Sequence, residues 1–182
     1  MFSVIRGAGR RRVGLSAPWL AVAMLLMACN PTFNWREVRP AGGGIQTLMP
    51  CKPETAERTV PLGPVPVVLH MASCEAGGIT YALAWAALAS PDDAPAALQA
   101  WMAASRQSLK TAEDSEWQAP PVSGAAQVLA RALQGQDHTG GQVGARAVYA
   151  AQGNKAFQAA AYGKVLPAEH LDPFFSSLQV TP

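Results

Sequence analysis

Three cysteines and three histidines are the residues of this 182-residue chain best suited to chemistry. A thiolate is a nucleophile, a metal ligand or half of a disulfide, and an imidazole is a base or a ligand. His70, His138 and His170 show no metal-ligand spacing, and a metal site needs three or four ligands. Asp137-His138 falls in a turn-rich stretch, where metal contact competes with ordinary hydration of a turn. His70 precedes Cys74 by four residues, which suggests an imidazole-activated thiol. On one strand, however, such positions share a face about 13 Å apart, too far for proton transfer. A partner for Cys74 has to come from elsewhere, and Cys51 is the natural candidate. The chain has no Cys-x-x-Cys, no Gly-x-Ser-x-Gly and no phosphate-binding glycine loop. Glu113, Asp114 and Glu116 form an acidic cluster that reads as a solvated loop. These patterns assign no catalytic residue, no metal and no other cofactor.

Cys29 has a different setting. Met1 to Arg12 carry Arg6, Arg10, Arg11 and Arg12 with no acid, and Val13 to Ala28 are almost wholly apolar, the charged and hydrophobic regions of a secretory signal. Sixteen residues fall short of the ~20 that span a bilayer, and Pro18 weakens the helix, so an uncleaved transmembrane anchor is the poorer reading. Leu26-Met27-Ala28-Cys29 resembles the lipobox of bacterial lipoproteins, in which the Cys receives a diacylglyceryl group and becomes the first residue after cleavage. Met27 is larger than that pattern usually holds. An ordinary signal peptide cut nearby is the alternative. Arg11-Arg12 is a weak twin-arginine signal, because Val13 or Gly14 stands where an aromatic or leucine should follow.

The lipobox resemblance implies a lipoprotein signal peptide over 1–28, lipidation at Cys29 with a short tether over 29–32, and a single domain over 33–182. It also implies a cell-envelope location facing the periplasm. Asn30 stands where the enterobacterial sorting rule uses Asp for inner-membrane retention, so that rule points to the outer membrane rather than the inner. Asn30 to Thr32 reach only ~10 Å when extended. Phe33 and Trp35 then either approach the headgroups or pack into the fold, which is the commoner use of large aromatics.

Without the leader the charge changes sign. Four of the fourteen basic residues precede Cys29 while all twelve acids follow it, so from Cys29 onward ten bases face twelve acids, net −2. The basic character of the whole chain belongs mostly to the leader, and nucleic acid is not an expected partner. The expected partners are a membrane, through the lipid, and an envelope protein. The remaining 154 residues suffice for one core. In an oxidising compartment Cys51 and Cys74 form an even pair that usually closes. A bridge there encloses 22 residues and contributes about 3 kcal/mol on the loop-entropy account.

The elements that must position these residues follow from periodicity. Ile45 to Met49 is a short strand stopped by Pro50-Cys51-Lys52-Pro53. Glu57 to Val60 and Val65 to Ser73 form a hairpin, with Val67, Leu69 and Met71 on one face and Val68, His70 and Ala72 on the other. In Ile79 to Leu88 the residues Ile79, Tyr81, Leu83 and Trp85 alternate with Thr80, Ala82, Ala84 and Ala86, as in a central strand. Ser90-Pro91-Asp92-Asp93 starts a helix with a hydroxyl cap, an early proline and acids at the positive dipole end. Leu98, Trp101, Met102, Ser105 and Leu109 then recur at helical spacing to about Lys110. Thr111 to Gly124 reads as loop. Ala125 to Leu133 is open between helix and strand, although a meander with Val143 to Ala150 and Lys155 to Tyr162 is the consistent reading. A short terminal helix begins at Pro167-Ala168-Glu169, is interrupted or restarted at Asp172-Pro173, and should dock Phe174 and Phe175 on the sheet. The fold class is α+β: an antiparallel sheet of about six strands carrying one long and one short C-terminal helix.

Pro50 to Pro53 ending a short strand, a hairpin, Gly78 to Tyr81 leading the next strand, a long helix, a meander and a Phe-rich last helix together resemble the PsbP-like α/β fold of extrinsic photosystem subunits. The chain is also similar to uncharacterised proteobacterial lipoproteins. What this resemblance implies is a binding or accessory domain rather than an enzyme. The other reading is a small periplasmic enzyme, either a thiol redox protein using Cys51 and Cys74 or a hydrolase with a site assembled across strands.

Overall fold

The computed structural model describes residues 31–111 and 114–181, and the folded unit comprises Thr32–Pro182. The leader and Cys29 therefore lie outside the described residues. The strands are β1 (Arg36–Val38), β2 (Ile45–Met49), β3 (Glu54–Val60), β4 (Val67–Ala76), β5 (Ile79–Ala87), β6 (Asp114–Glu116), β7 (Gln127–Gln136), β8 (Gln142–Gln152), β9 (Lys155–Gly163) and β10 (Gln179–Val180). Helix α1 (Ala94–Ser108) follows a 3-10 turn at Pro91–Asp93, and α2 (Ala168–Ser176) lies between β9 and β10.

The strands form two antiparallel sheets. One has seven strands in the order β3-β4-β5-β9-β8-β7-β6, and the other has three in the order β1-β2-β10. The α+β class is thus as expected, with the strands divided between two layers. The alternation of β5 sorts its residues as the pattern requires. Ile79, Tyr81, Leu83 and Trp85 join Phe157, Ala159 and Ala161 of β9 under the small sheet and α2. Ala84 and Ala86 lie on the other face with Ala147, Ala151, Ala156 and Ala160. That alanine floor lets α1 approach closely, and Leu98, Trp101 and Met102 fill the space it leaves.

The cap read at Ser90 forms on the 3-10 turn that leads into α1. Asp92 N donates to Ser90 Oγ at 3.2 Å and Ser90 N donates to Asp93 Oδ2 at 3.0 Å, which satisfies donors that have no partner inside the helix. At the other end α2 runs unbroken through Pro173, so the expected interruption is corrected. Pro173 is the sixth residue of this helix and has no N–H to donate to the Glu169 carbonyl, yet the helix continues past it to Ser176. Phe174 and Phe175 are fully buried on the sheet as expected.

Two further corrections concern short strands. Residues 114–116 pair with Leu133, Ala132 and Arg131 of β7 instead of forming a loop. Gln179 and Val180 add an edge to the small sheet through Gln46 and Ile45. The open stretch 125–133 resolves mostly into β7, the first strand of the meander.

Candidate functional site

Cys51 and Cys74 are bonded to each other, with Cα atoms 5.9 Å apart. The bond ties the segment leaving β2 to β4 and so staples the small sheet to the large one. Both residues are half-buried and line a surface hollow with Lys52, Glu54, Ser73, Glu75 and Thr80.

His70 shares a face with Cys74 but turns to other partners. It stands opposite Glu57 on β3 and opposite Trp85 on β5, so three neighbouring strands place these side chains in one row. His70 Nδ1 lies 2.8 Å from Glu57 Oε1. A carboxylate can only accept, so Nδ1 carries the proton and donates, which leaves Nε2 of the neutral ring as an acceptor. The imidazole also stacks on the indole of Trp85. Trp85 is itself buried, Glu57 is exposed, and His70 lies between.

This row reaches the β3 edge, where the β1–β2 loop overhangs the sheet at Pro40 and Ala41. Between them is a cleft of about 490 Å³, also lined by Thr55, Ala56 and Met71. The cleft combines an aromatic floor, a carboxylate and an imidazole nitrogen that has no hydrogen-bond partner among the described residues. Such a surface can seat a small amphipathic ligand, and the dyad can in principle accept a proton. Register alone creates it, because Glu57 and His70 stand 13 residues apart. The available signal was the turn: a hairpin centred between Gly63 and Pro64 sets residue 57 opposite residue 70.

Other hollows carry less. One of about 430 Å³ at the far end of β4 includes Asp137, Tyr162 and Lys164. There Asp137 Oδ1 accepts from Thr139 N at 2.8 Å, Thr139 Oγ1 at 2.6 Å and Gly141 N at 2.9 Å. The Thr139 hydroxyl, then the Gly141 amide, hold this carboxyl below the usual aspartate range. Asp137 is thus the fastener of its own turn, and His138 beside it is exposed. Among the described residues no group of three or more His, Cys, Asp and Glu could hold a metal.

His170 is structural. Its ring lies against Phe33 at 4.4 Å and its carbonyl accepts from Tyr81 Oη at 2.9 Å. Burial pushes the Tyr81 hydroxyl up to about 12. Phe33 and Trp35 both pack against the core instead of standing free. The acidic cluster also needs correction. Asp114 is largely buried, 3.0 Å from Arg106 Nη1 and 3.7 Å from Arg131 Nε, and so joins α1, β6 and β7, while Glu116 is exposed. Glu113 lies outside the described residues.

A buried polar group under α1 went unread in the sequence. Gln158 Nε2 donates to Ser105 Oγ at 3.1 Å, and Ser105 Oγ donates to the Trp101 carbonyl at 3.1 Å. The hydroxyl of Tyr149 is buried beside Ser105 and Gln158 without a hydrogen bond of acceptable geometry, and burial raises its pKa. A lone glutamine within the apolar run of β9 was the signal for this cluster.

Comparison with known proteins returns no match to a family profile, a curated protein or a solved structure.

Proposed function

We propose that this chain is a lipid-anchored lipoprotein of the bacterial cell envelope whose folded unit serves as a binding or accessory module facing the periplasm. The observation that carries the reading is the closed Cys51–Cys74 bond. It suits an oxidising compartment, and it pairs two of the three sulfurs, leaving Cys29 for the anchor that the Leu26-Met27-Ala28-Cys29 motif suggests. The ligand site in this reading is the cleft at Glu57, His70 and Trp85. The outer membrane as host and kinship with PsbP-like lipoproteins belong to the same proposal.

Mass spectrometry of the full-length protein made in a Gram-negative host tests it. The expected product begins at Cys29 and carries a diacylglyceryl group, and Cys29→Ser abolishes the acylation. A first residue elsewhere, or an unacylated product, overturns the reading.

The enzyme reading keeps one specific support, the Glu57–His70 pair, whose Nε2 has no hydrogen-bond partner among the described residues. Its test is whether His70→Gln removes a turnover of model esters that the wild-type protein performs. The thiol variant is separate: rapid exchange of the Cys51–Cys74 bond with glutathione would favour it, whereas resistance to reduction supports a structural bond.

A further inference from the structure

We infer that one end of the folded unit, built by the Gly77-Gly78 turn and the Lys164-Val165-Leu166 loop, lies against the bilayer with Val165 inserted into the interfacial layer. This rests on acylation at Cys29 as proposed above. Three observations carry it.

The first is where the ordered chain begins. Phe33 is docked at this end: a Cβ at Gly77 would stand 2.5 Å from its Cζ, and its ring lies 4.4 Å from that of His170. Phe33 stands four positions after Cys29, a leash of about 14 Å at full extension. Strand β4 has ten residues and is about 30 Å long. The leash is therefore half the length of the strand, and it fixes which end of the unit stays near the lipid.

The second is continuity from Phe33 to the loop. The Gly77-Gly78 turn abuts Gly163, where a Cβ would lie 3.2 Å from the Gly78 carbonyl oxygen, 3.2 Å from Leu166 Cδ2 and 3.2 Å from the Val165 carbonyl oxygen. Docking site and loop are one surface.

The third is the loop itself. Val165 is 73% exposed, the most exposed of the large apolar side chains among the described residues. It stands beside exposed Lys164, whose stem can lie along apolar surface while its ammonium stays at the headgroups. Glu75 and Glu169 are exposed in the same region, so the surface is not a basic patch. Attachment here comes from the leash and apolar insertion, not from charge. The other exposed valines on the hairpin, Val65 at 50% and Val68 at 48%, lie at the opposite end of β4.

The test uses the full-length acylated protein in vesicles of phosphatidylethanolamine and phosphatidylglycerol. With Cys29 blocked as a thioether and Cys51 bonded to Cys74, a single added thiol takes an environment-sensitive dye at Val165→Cys or at Val68→Cys. Nitroxide-bearing lipids should quench the dye at 165 several-fold more than at 68, with a blue-shifted emission at 165 alone. Lys164→Cys repeats the test should the first variant label poorly. Equal quenching at both ends, or none at 165, overturns the inference while acylation stands. A mass spectrum without acyl groups sinks the anchor reading first and this inference with it.

Discussion

The imidazole of His70 lies nearly parallel to the indole of Trp85, with ring centroids 5.4 Å apart and planes inclined by 11°. It is the lid of an aromatic floor, held flat by the bond from Nδ1 to Glu57. An aromatic pair of this kind contributes ~0.5–1.5 kcal/mol beyond its buried area. The Glu57 contact is solvent-exposed, so its share stays below about 1 kcal/mol. His70→Ala should therefore cost about 1–2 kcal/mol in denaturant unfolding, and Glu57→Gln less than half of that. Equal losses for the two variants would make the carboxylate, not the stack, the dominant contact.

The Cys51–Cys74 bond closes a loop of 23 positions between two sheets. On the chain-entropy account its loss costs about 3 kcal/mol, or roughly 6–12 °C in Tm for a domain of this size. Cys51→Ala/Cys74→Ala, or the reduced wild type, should show that shift in calorimetry. An unchanged Tm would mean that packing between Phe174, Phe175 and the large sheet already fixes the geometry alone.

How far these features were legible depends on their length and locality. The long alternation of β5 and the helical spacing of Leu98, Trp101, Met102 and Ser105 in α1 repeat a signal over many residues. The Ser90 cap on the turn before α1 and the terminal phenylalanines are strong local signals, and the fold honours them all. Strands β6 and β10 have three and two residues, too few for a period, and both exist because the adjacent edges of β7 and β2 recruit them. The second sheet was unread for the same reason. Cys51 and Cys74 were legible as a pair from counting alone. The Glu57–His70–Trp85 row was not, because it depends on register across three strands, and register is a property of turns more than of the residues they align.

Asp114 shows a charge that only tertiary context explains. Its carboxylate, 15% exposed, faces Arg106 and Arg131 from two different elements. Breaking a buried pair costs 3–5 kcal/mol and an exposed pair under 1, so Asp114→Asn should fall between, at about 1–2 kcal/mol. Urea unfolding measures this, and the loss should shrink in the background of Arg106→Gln, since the two share one interaction.

Two glycines with contrasting surroundings form a matched test of backbone constraint. A Cβ at Gly124, whose φ is +82°, would meet the Val180 carbonyl oxygen at 1.9 Å, whereas Gly63 has nothing within 4 Å. Gly124→Ala must push β10 off β2 and should cost more than about 2 kcal/mol, combining a left-handed strain with a clash. Gly63→Ala should be neutral or gain up to about 1 kcal/mol by narrowing the unfolded ensemble. Similar Tm values for both variants would show that the last strand adds little to the fold.

The two ends of the pH scale should act on different residues. Asp137 has a folded pKa below its ordinary value because Thr139 and Gly141 donate to the ionised form. Its contribution is therefore present above the unfolded value near ~4 and disappears as pH falls through the folded one. Tyr81 behaves oppositely: burial favours the neutral phenol and raises its pKa to about 12. Its contribution is intact below the unfolded value near ~10 and is lost as pH climbs toward the folded one. Stability profiles of Asp137→Asn and Tyr81→Phe separate the two. The first should flatten the acid limb only and the second the alkaline limb only, and a Tyr81→Phe profile that still falls steeply above pH ~10 would assign that limb to another buried phenol, with Tyr162, also raised by burial, the first to examine.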